Sequence, residues 1–345
     1  MRVTTVSTPT MMNVPRTGVQ NIQTEMMRLS REIVTARLAD VTLEYGAASG
    51  RNVTLHADLS ALSSLSISLT GATKRLDQSQ LGLDEMNRNA NAFLDGLLAS
   101  MQSGSSAGVI RQSAQSALNT FISNANASDG HEFLFAGINT AVPPLAGYDA
   151  GPGAAVDAAF LTRFGITPSD PAVASISASD MADFLDNEFA ALFDDPAWGS
   201  VWSSASDQPV TARVSSTETI DTSVSANTPA MRKLARFYTM VASLSIDSLG
   251  EQARQVVLNE AVALGGEAIG ELINTQAAVG LNQNRLKDAE ERLLVQQDII
   301  KRRLGDLEGV DPAEAKVRFD MLSTEVEMSY SLTARLLQMS LLNYV

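Results

Sequence analysis

The sequence predicts a mainly α protein, with a long antiparallel helical rod formed by its N- and C-terminal segments and a small α+β domain inserted at the tip. Three observations carry that expectation. One seven-residue apolar register runs from Leu55 to Met101, a second runs from Leu258 to Leu307, and the stretch between them is punctuated by proline and glycine. Apolar residues make up 45% of the 345-residue chain but aromatics only 5%, so Leu, Ala, Met and Val must supply the core, which suits helix–helix packing. The expected order is an amphipathic assembly segment and loop (1–50), N-terminal rod helices (51–137), a variable inserted domain (138–228), a C-terminal rod helix (229–308) and a C-terminal assembly helix (309–345).

Near the N-terminus, Val19, Ile22, Met26, Leu29, Ile33 and Ala36 are spaced three and four apart and form one apolar stripe. The first rod helix follows. Its 4-3 series visits Leu55, Leu59, Leu62, Ser66, Leu69, Thr73, Leu76, Gln80, Leu83, Asn87, Ala90, Leu94, Leu97 and Met101, with small or neutral polar interruptions. Such a period turns one seam toward a partner helix. Roughly 47 residues at a rise of 1.5 Å span about 70 Å.

From about Ile138 to Thr228 the chain carries Pro143-Pro144, Gly151-Pro152-Gly153, Pro168, Pro171, Pro196 and Pro209, together with both tryptophans, Trp198 and Trp202. A short helix is expected at Met181–Phe193, with Met181, Phe184, Leu185, Phe189 and Leu192 facing inward. Alternation at Val210, Ala212 and Val214 reads as a strand.

The second rod places Leu258, Leu272, Val279, Leu286, Leu293, Ile300 and Leu307 on one register, broken only at Gly265. Its alternate seam positions include Gln276, Gln283, Glu290 and Gln297, so the stripe is narrower. About 50 residues match the first rod in length, and two equal rods at opposite ends of the sequence bring the termini back together. Beyond Gly305 and Gly309, Asp311 is suited to an N-cap, Pro312 to the first turn and Glu314 to a capping box. The helix they start carries Phe319, Leu322, Val326, Tyr330, Leu336, Leu337 and Leu341. Neither terminal stripe has an obvious partner within the sequence, so both ends are expected to be mobile until a neighbour buries them.

Little chemistry is on offer. The chain has no cysteine, which removes disulfides, thiolate nucleophiles and Cys-based metal sites. A formal net charge of -14 argues against nucleic acid and against anionic membranes. No apolar run is long enough to span a bilayer, and the N-terminus lacks a cleavable secretory signal. Gly104-Ser105-Ser106-Ala107-Gly108 matches a nucleophile elbow, but it follows a helical stripe where an elbow needs a strand. His56 and His131 have no acid in a fixed frame and read as surface or capping residues. Asp180, Asp183, Asp186, Glu188, Asp194 and Asp195 lack calcium-loop spacing and read as a solvated face. Gly265-Gly266 with Gly270 has no phosphate-loop context and reads as close helix packing or a local irregularity. No catalytic residue, cofactor or metal site is expected.

The two ends of the chain resemble the flagellin superfamily, and within it the hook-associated protein 3 family of hook–filament junction proteins. Gly309-Val310-Asp311-Pro312-Ala313-Glu314-Ala315 and the closing Ser340-Leu341-Leu342-Asn343-Tyr344-Val345 are the most specific match. Val279-Gly280-Leu281-Asn282-Gln283-Asn284-Arg285-Leu286 is similar to the flagellin-type Asn-Arg-Leu stretch. Asp129-Gly130-His131-Glu132-Phe133-Leu134-Phe135-Ala136-Gly137, followed by Pro143-Pro144-Leu145, is similar to the motif that leads from the helical core into the variable domain. The family's usual Thr-Gly-Lys/Arg and Ser-x-x-Asp-Asp-Pro loop is replaced by Thr35-Ala36-Arg37 and a Gly46/Gly50 loop.

The resemblance implies a structural subunit, exported uncleaved to the extracellular flagellum. It implies as partners a ring of its own copies, hook-associated protein 1, flagellin and an export chaperone. Val19, Ile22, Met26, Leu29, Ile33, Leu322, Val326, Leu336 and Leu341 would then line subunit or chaperone contacts. Leu55, Leu59, Leu62, Leu69, Leu76, Leu83, Leu94, Leu97, Leu272, Val279, Leu286, Leu293 and Ile300 would form the rod core. The alternatives are flagellin itself, an unrelated coiled-coil adhesin or tail-fibre module, and, last, an enzyme acting through Ser106.

Overall fold

The computed structural model describes residues 8–46, 49–103, 106–215 and 217–342, with side chains described from 16 to 335 within those spans. The protein is mainly α, with a long helix pair and one two-stranded sheet among the described residues. It divides into two compact units, residues 1–64 with 293–345, and residues 65–292. Helices α3 (Ser49–Ser103) and α8 (Glu251–Glu308) contribute to both.

The first unit adds α1 (Thr8–Thr35), the short α2 (Val41–Tyr45) and α9 (Pro312–Leu342), with α1 packed along α9. Asp40 caps α2, its Oδ1 accepting from the amides of Thr42 and Leu43 at 2.9 and 3.0 Å. Asp311 caps α9 in the same way through the amide of Ala313 at 2.8 Å. Glu314 pairs with Arg318 four residues on at 2.7 Å, a contact of consecutive turns that takes it away from the capping box the spacing suggested.

In the second unit α3 and α8 lie antiparallel. Leu69, Leu76, Leu83 and Leu97 of α3 and Leu272, Val279 and Leu286 of α8 are buried. Polar residues on and beside the seam pair across it. Thr73 Oγ1 donates to Glu290 Oε1 at 3.4 Å, Gln283 Nε2 to Asp77 Oδ1 at 2.7 Å, and Gln276 Nε2 to Asp84 Oδ1 at 2.6 Å. A seam of leucines alone tolerates sliding; paired polar groups penalise every register but one.

The segment 229–308 holds two helices where one was expected. A separate α7 (Pro229–Ser243) precedes α8 and packs against α4 (Ala107–Ala125). Its Met231, Leu234, Phe237, Tyr238 and Met240 are buried, while Arg232, Lys233 and Arg236 keep one half-exposed polar face. Phe237 meets Phe93 with ring centroids 5.2 Å apart and sits on Gly265, where a Cβ would stand 2.9 Å from the ring. The heptad break at Gly265 is therefore a socket for Phe237, and α8 runs through it unbroken.

The inserted region begins with α5 (Pro152–Phe164), in which Pro152 occupies the first helical turn; the Gly-Pro-Gly run is a helix start as much as a turn. The helix expected at Met181–Phe193 is α-helical only over α6 (Ala178–Phe184), then widens into a π turn at Leu185–Phe189 and tightens into a 3-10 turn at Ala190–Phe193. That change of pitch buries Phe193, while Leu192 is only half-buried. Strands β1 (Thr211–Arg213) and β2 (Thr219–Asp221) pair antiparallel with Ala212 opposite Ile220, both buried. A continuous aromatic file, Phe160, Phe184, Phe189, Phe193, Trp202 and Trp198, has neighbouring centroids 5.2–5.9 Å apart. Both tryptophans and five of the eleven phenylalanines lie in this region, where short elements cannot build a leucine seam.

The segment Phe133–Gly137 leads into this region. Phe135 lies over Gly82 of α3, whose absent Cβ would stand 3.0 Å from the ring. Gly137 adopts φ +60, and a Cβ there would fall 2.3 Å from the carbonyl oxygen of Ser206, so only glycine fits.

Candidate assembly surface

In α1, Val19, Ile22, Met26 and Ile33 are half-buried and Leu29 is buried, all on one side. In α9, Ala315 is buried and Phe319, Leu322 and Val326 are half-buried at spacings of four, three and four. With α1 packed on α9, these are the stripes that face each other. Gln23 Nε2 also donates to the Tyr330 hydroxyl at 3.4 Å. The cover that the sequence did not reveal for either stripe is the other one. Leu336 and Leu341 belong to α9, but their side chains lie outside those described, as do residues 343–345 altogether. Of the residues assigned to the rod, Leu55 and Leu293 are buried in the first unit, and Leu59, Leu62 and Ile300 are half-buried; Leu94 is half-buried in the second.

The surface left free on the terminal pair is a different one. Val317, Met321, Met328 and Leu332 of α9 are 54–65% exposed. At about 100° per residue they share one face, roughly 130° around the helix from the stripe that meets α1. Met27 and Val34 of α1 are exposed seven residues apart, off that helix's own inward stripe. The signal for it in the sequence is this second apolar register, offset from the inward stripe.

Charge is segregated as well. Residues 1–64 and 293–345 carry 12 Lys and Arg against 13 Asp and Glu, leaving 13 basic and 26 acidic residues for residues 65–292. Copies of the first unit therefore approach without net repulsion, whereas the surplus of acidic residues on the second opposes its approach to another copy.

One buried carboxylate stands out in the first unit. Glu308, the last residue of α8, is 8% exposed at its side chain. It accepts from Asn52 Nδ2 at 2.6 Å and His56 Nε2 at 2.5 Å, with Arg37 Nη1 at 3.4 Å. Burial alone would raise its pKa; the hydrogen bonds from Asn52 and His56 and the charges of His56 and Arg37 together outweigh that and hold it below the usual carboxylate value. His56 is exposed, as expected, but its ring lies against Glu308, an acid that the sequence did not place beside it. His131 lies exposed in the turn before Phe133.

The remaining sequence motifs come apart. Gly104 and Ser105 lie outside the described residues, and Ser106 stands between the end of α3 and the start of α4, without the strand an elbow requires. In the acidic cluster, Glu188 and Asp183 lie 3.3 and 3.6 Å from Arg163, and Asp195 lies 2.9 Å from Arg232. Among the described residues, no group of three or more His, Asp or Glu could hold a metal ion, and no helix is long and apolar enough to cross a membrane.

The bacterial flagellin N-terminal helical region matches residues 6–140, and the bacterial flagellin C-terminal helical region matches residues 262–345. Among solved structures, one from Vibrio parahaemolyticus described as a flagellar hook-associated protein is similar in fold, with a TM-score of 0.53 and 11% identity over 77% of this chain and 99% of that one. No curated protein matches the chain significantly.

Proposed function

The chain belongs to the flagellin family, matched at both of its helical ends, and from that premise we propose that it is the subunit joining the flagellar hook to the filament. It is a structural component of the flagellum. The observation that carries assembly is the outward stripe Val317, Met321, Met328 and Leu332 on an α9 already packed against α1. Burying one such side chain against a neighbour contributes about 1.5–3 kcal/mol at most, so a few per subunit, repeated around a ring of copies, suffice for a mechanical joint. The closing Ser340–Val345 and the Phe133–Gly137 motif support a junction protein over bulk flagellin, as does a structural neighbour described as hook-associated. Hook-associated protein 1 on one side, flagellin on the other and an export chaperone beforehand are the partners this role implies. The side chains of Val19, Ile22, Met26, Leu29, Ile33, Leu322 and Val326 act in this scheme by holding α1 to α9, so that the outward stripe is presented on a formed pair.

Because the native chain has no cysteine, one label reports the location. Ala158→Cys, exposed on α5, is labelled with a maleimide dye on intact cells and imaged. A single spot at each hook–filament boundary is expected. Label along whole filaments makes the protein a flagellin, and swimming cells that make the protein without flagellar label rule out both roles.

A further inference from the structure

Two connectors leave the α1–α9 pair, residues 36–40 toward α2 and residues 309–311 from α8, and they meet in an antiparallel bridge between Arg37 and Gly309. The amide of Leu38 donates to the Glu308 carbonyl at 2.7 Å, and the amide of Val310 to the Ala36 carbonyl at 3.1 Å. Both connectors are tightly constrained. Ala36 holds φ +52, a left-handed conformation uncommon for a residue with a Cβ, and a Cβ on Gly309 would stand 2.4 Å from the Gly305 carbonyl oxygen. Glu308 sits at this crossing and reaches three elements at once: its own α8, Arg37 in the first connector, and Asn52 and His56 on α3. A buried charge shared in this way binds its partners only in one arrangement, and removing it leaves the donors of Asn52 and His56 facing a gap.

We propose that Glu308 is a latch that fixes the α1–α9 pair relative to the adjoining ends of α3 and α8, so that the terminal pair is held as a pre-set arm and not as a freely hinged one. The carboxylate does this by tying the first connector to α3 and to the end of α8, and the backbone hydrogen bond from Val310 to Ala36 carries the second connector with it; each helix pair keeps its own apolar seam and stays folded when the latch is lost. A fixed arm lowers the ordering cost of docking, because fewer orientations must be given up when a neighbour binds.

The test uses the full chain with two cysteines in place of exposed residues, Ala57→Cys on α3 and Glu327→Cys on α9, spin-labelled and diluted with unlabelled protein. Pulsed dipolar spectroscopy should give one narrow distance distribution. Adding Glu308→Ala should broaden it about twofold or more, as a single arrangement gives way to several, while circular dichroism shows the same helix content. Should Glu308→Ala lose helix, the milder Asn52→Ala with His56→Ala must give the broadening with helix retained. A distribution already broad in the parent, or equally narrow in every folded variant, overturns the latch. Neither result depends on where in the flagellum the protein resides, so the latch and the junction role stand or fall separately.

Discussion

Gly265 and Gly266 are adjacent in α8, yet the same substitution should move stability in opposite directions at the two. Replacing an interior helical glycine by alanine is worth about 1 kcal/mol in backbone propensity. At Gly266, which is exposed and has no atom within 4 Å of an added Cβ, that gain stands alone. At Gly265 the new methyl would lie 2.9 Å from the ring of Phe237, which is fully buried, with ring centroids 5.2 Å from Phe93 and 5.1 Å from Tyr238. The ring has nowhere to retreat, and overpacking of this kind costs about 1–3 kcal/mol. Gly266→Ala should therefore stabilise by about 1 kcal/mol, and Gly265→Ala should be neutral or destabilising by up to about 2 kcal/mol. For a unit of this size about 2–4 °C of Tm accompanies each kcal/mol, so the melting temperatures should differ by about 2–12 °C. Calorimetry of both variants measures it, and Phe237→Leu in the Gly265→Ala background should recover part of the difference. Equal rises in Tm for both alanines, with no coupling to Phe237, would refute the socket.

Met321→Asp with Met328→Asp should leave the α1–α9 pair intact and abolish incorporation into flagella, measured by circular dichroism and by the Ala158→Cys label; normal incorporation means the outward stripe is not the docking face. Leu322→Asp with Val326→Asp, on the inward stripe, should instead cost helix content in the soluble chain, because the charges fall in the seam with α1. Phe135→Ala should destabilise by about 3–5 kcal/mol in urea unfolding, since a fully buried ring over Gly82 leaves a cavity that glycine cannot fill. Glu308 titrates below the usual carboxylate value when folded, so its contribution is full above the unfolded pKa and is lost as pH falls through the lower folded one. Glu308→Gln should accordingly weaken the fall in unfolding free energy below about pH 4.5, measured by urea unfolding at a series of pH values.

The long helices were legible because a seven-residue period needs only local sequence to be seen. Leu69, Leu76 and Leu83 announce a seam wherever their partner lies. The caps at Asp40 and Asp311 follow equally local rules. What the tertiary structure decided is which surfaces meet. Nothing in Val19–Ile33 or Ala315–Val326 says that each covers the other, and so nothing shows that the free face of α9 is the one through Met321 and Met328. Gly265 broke a register on paper but serves as a socket because Phe237 arrives from a separate helix. His56 and Glu308 are 252 residues apart, and a carboxylate becomes a hub only once chain folding places donors around it. The sequence by itself determined the helices and their apolar stripes, which depend on backbone periodicity and side-chain polarity. Which stripe pairs with which, and which charge is buried, depend on contacts between distant segments, and those exist only in the folded chain.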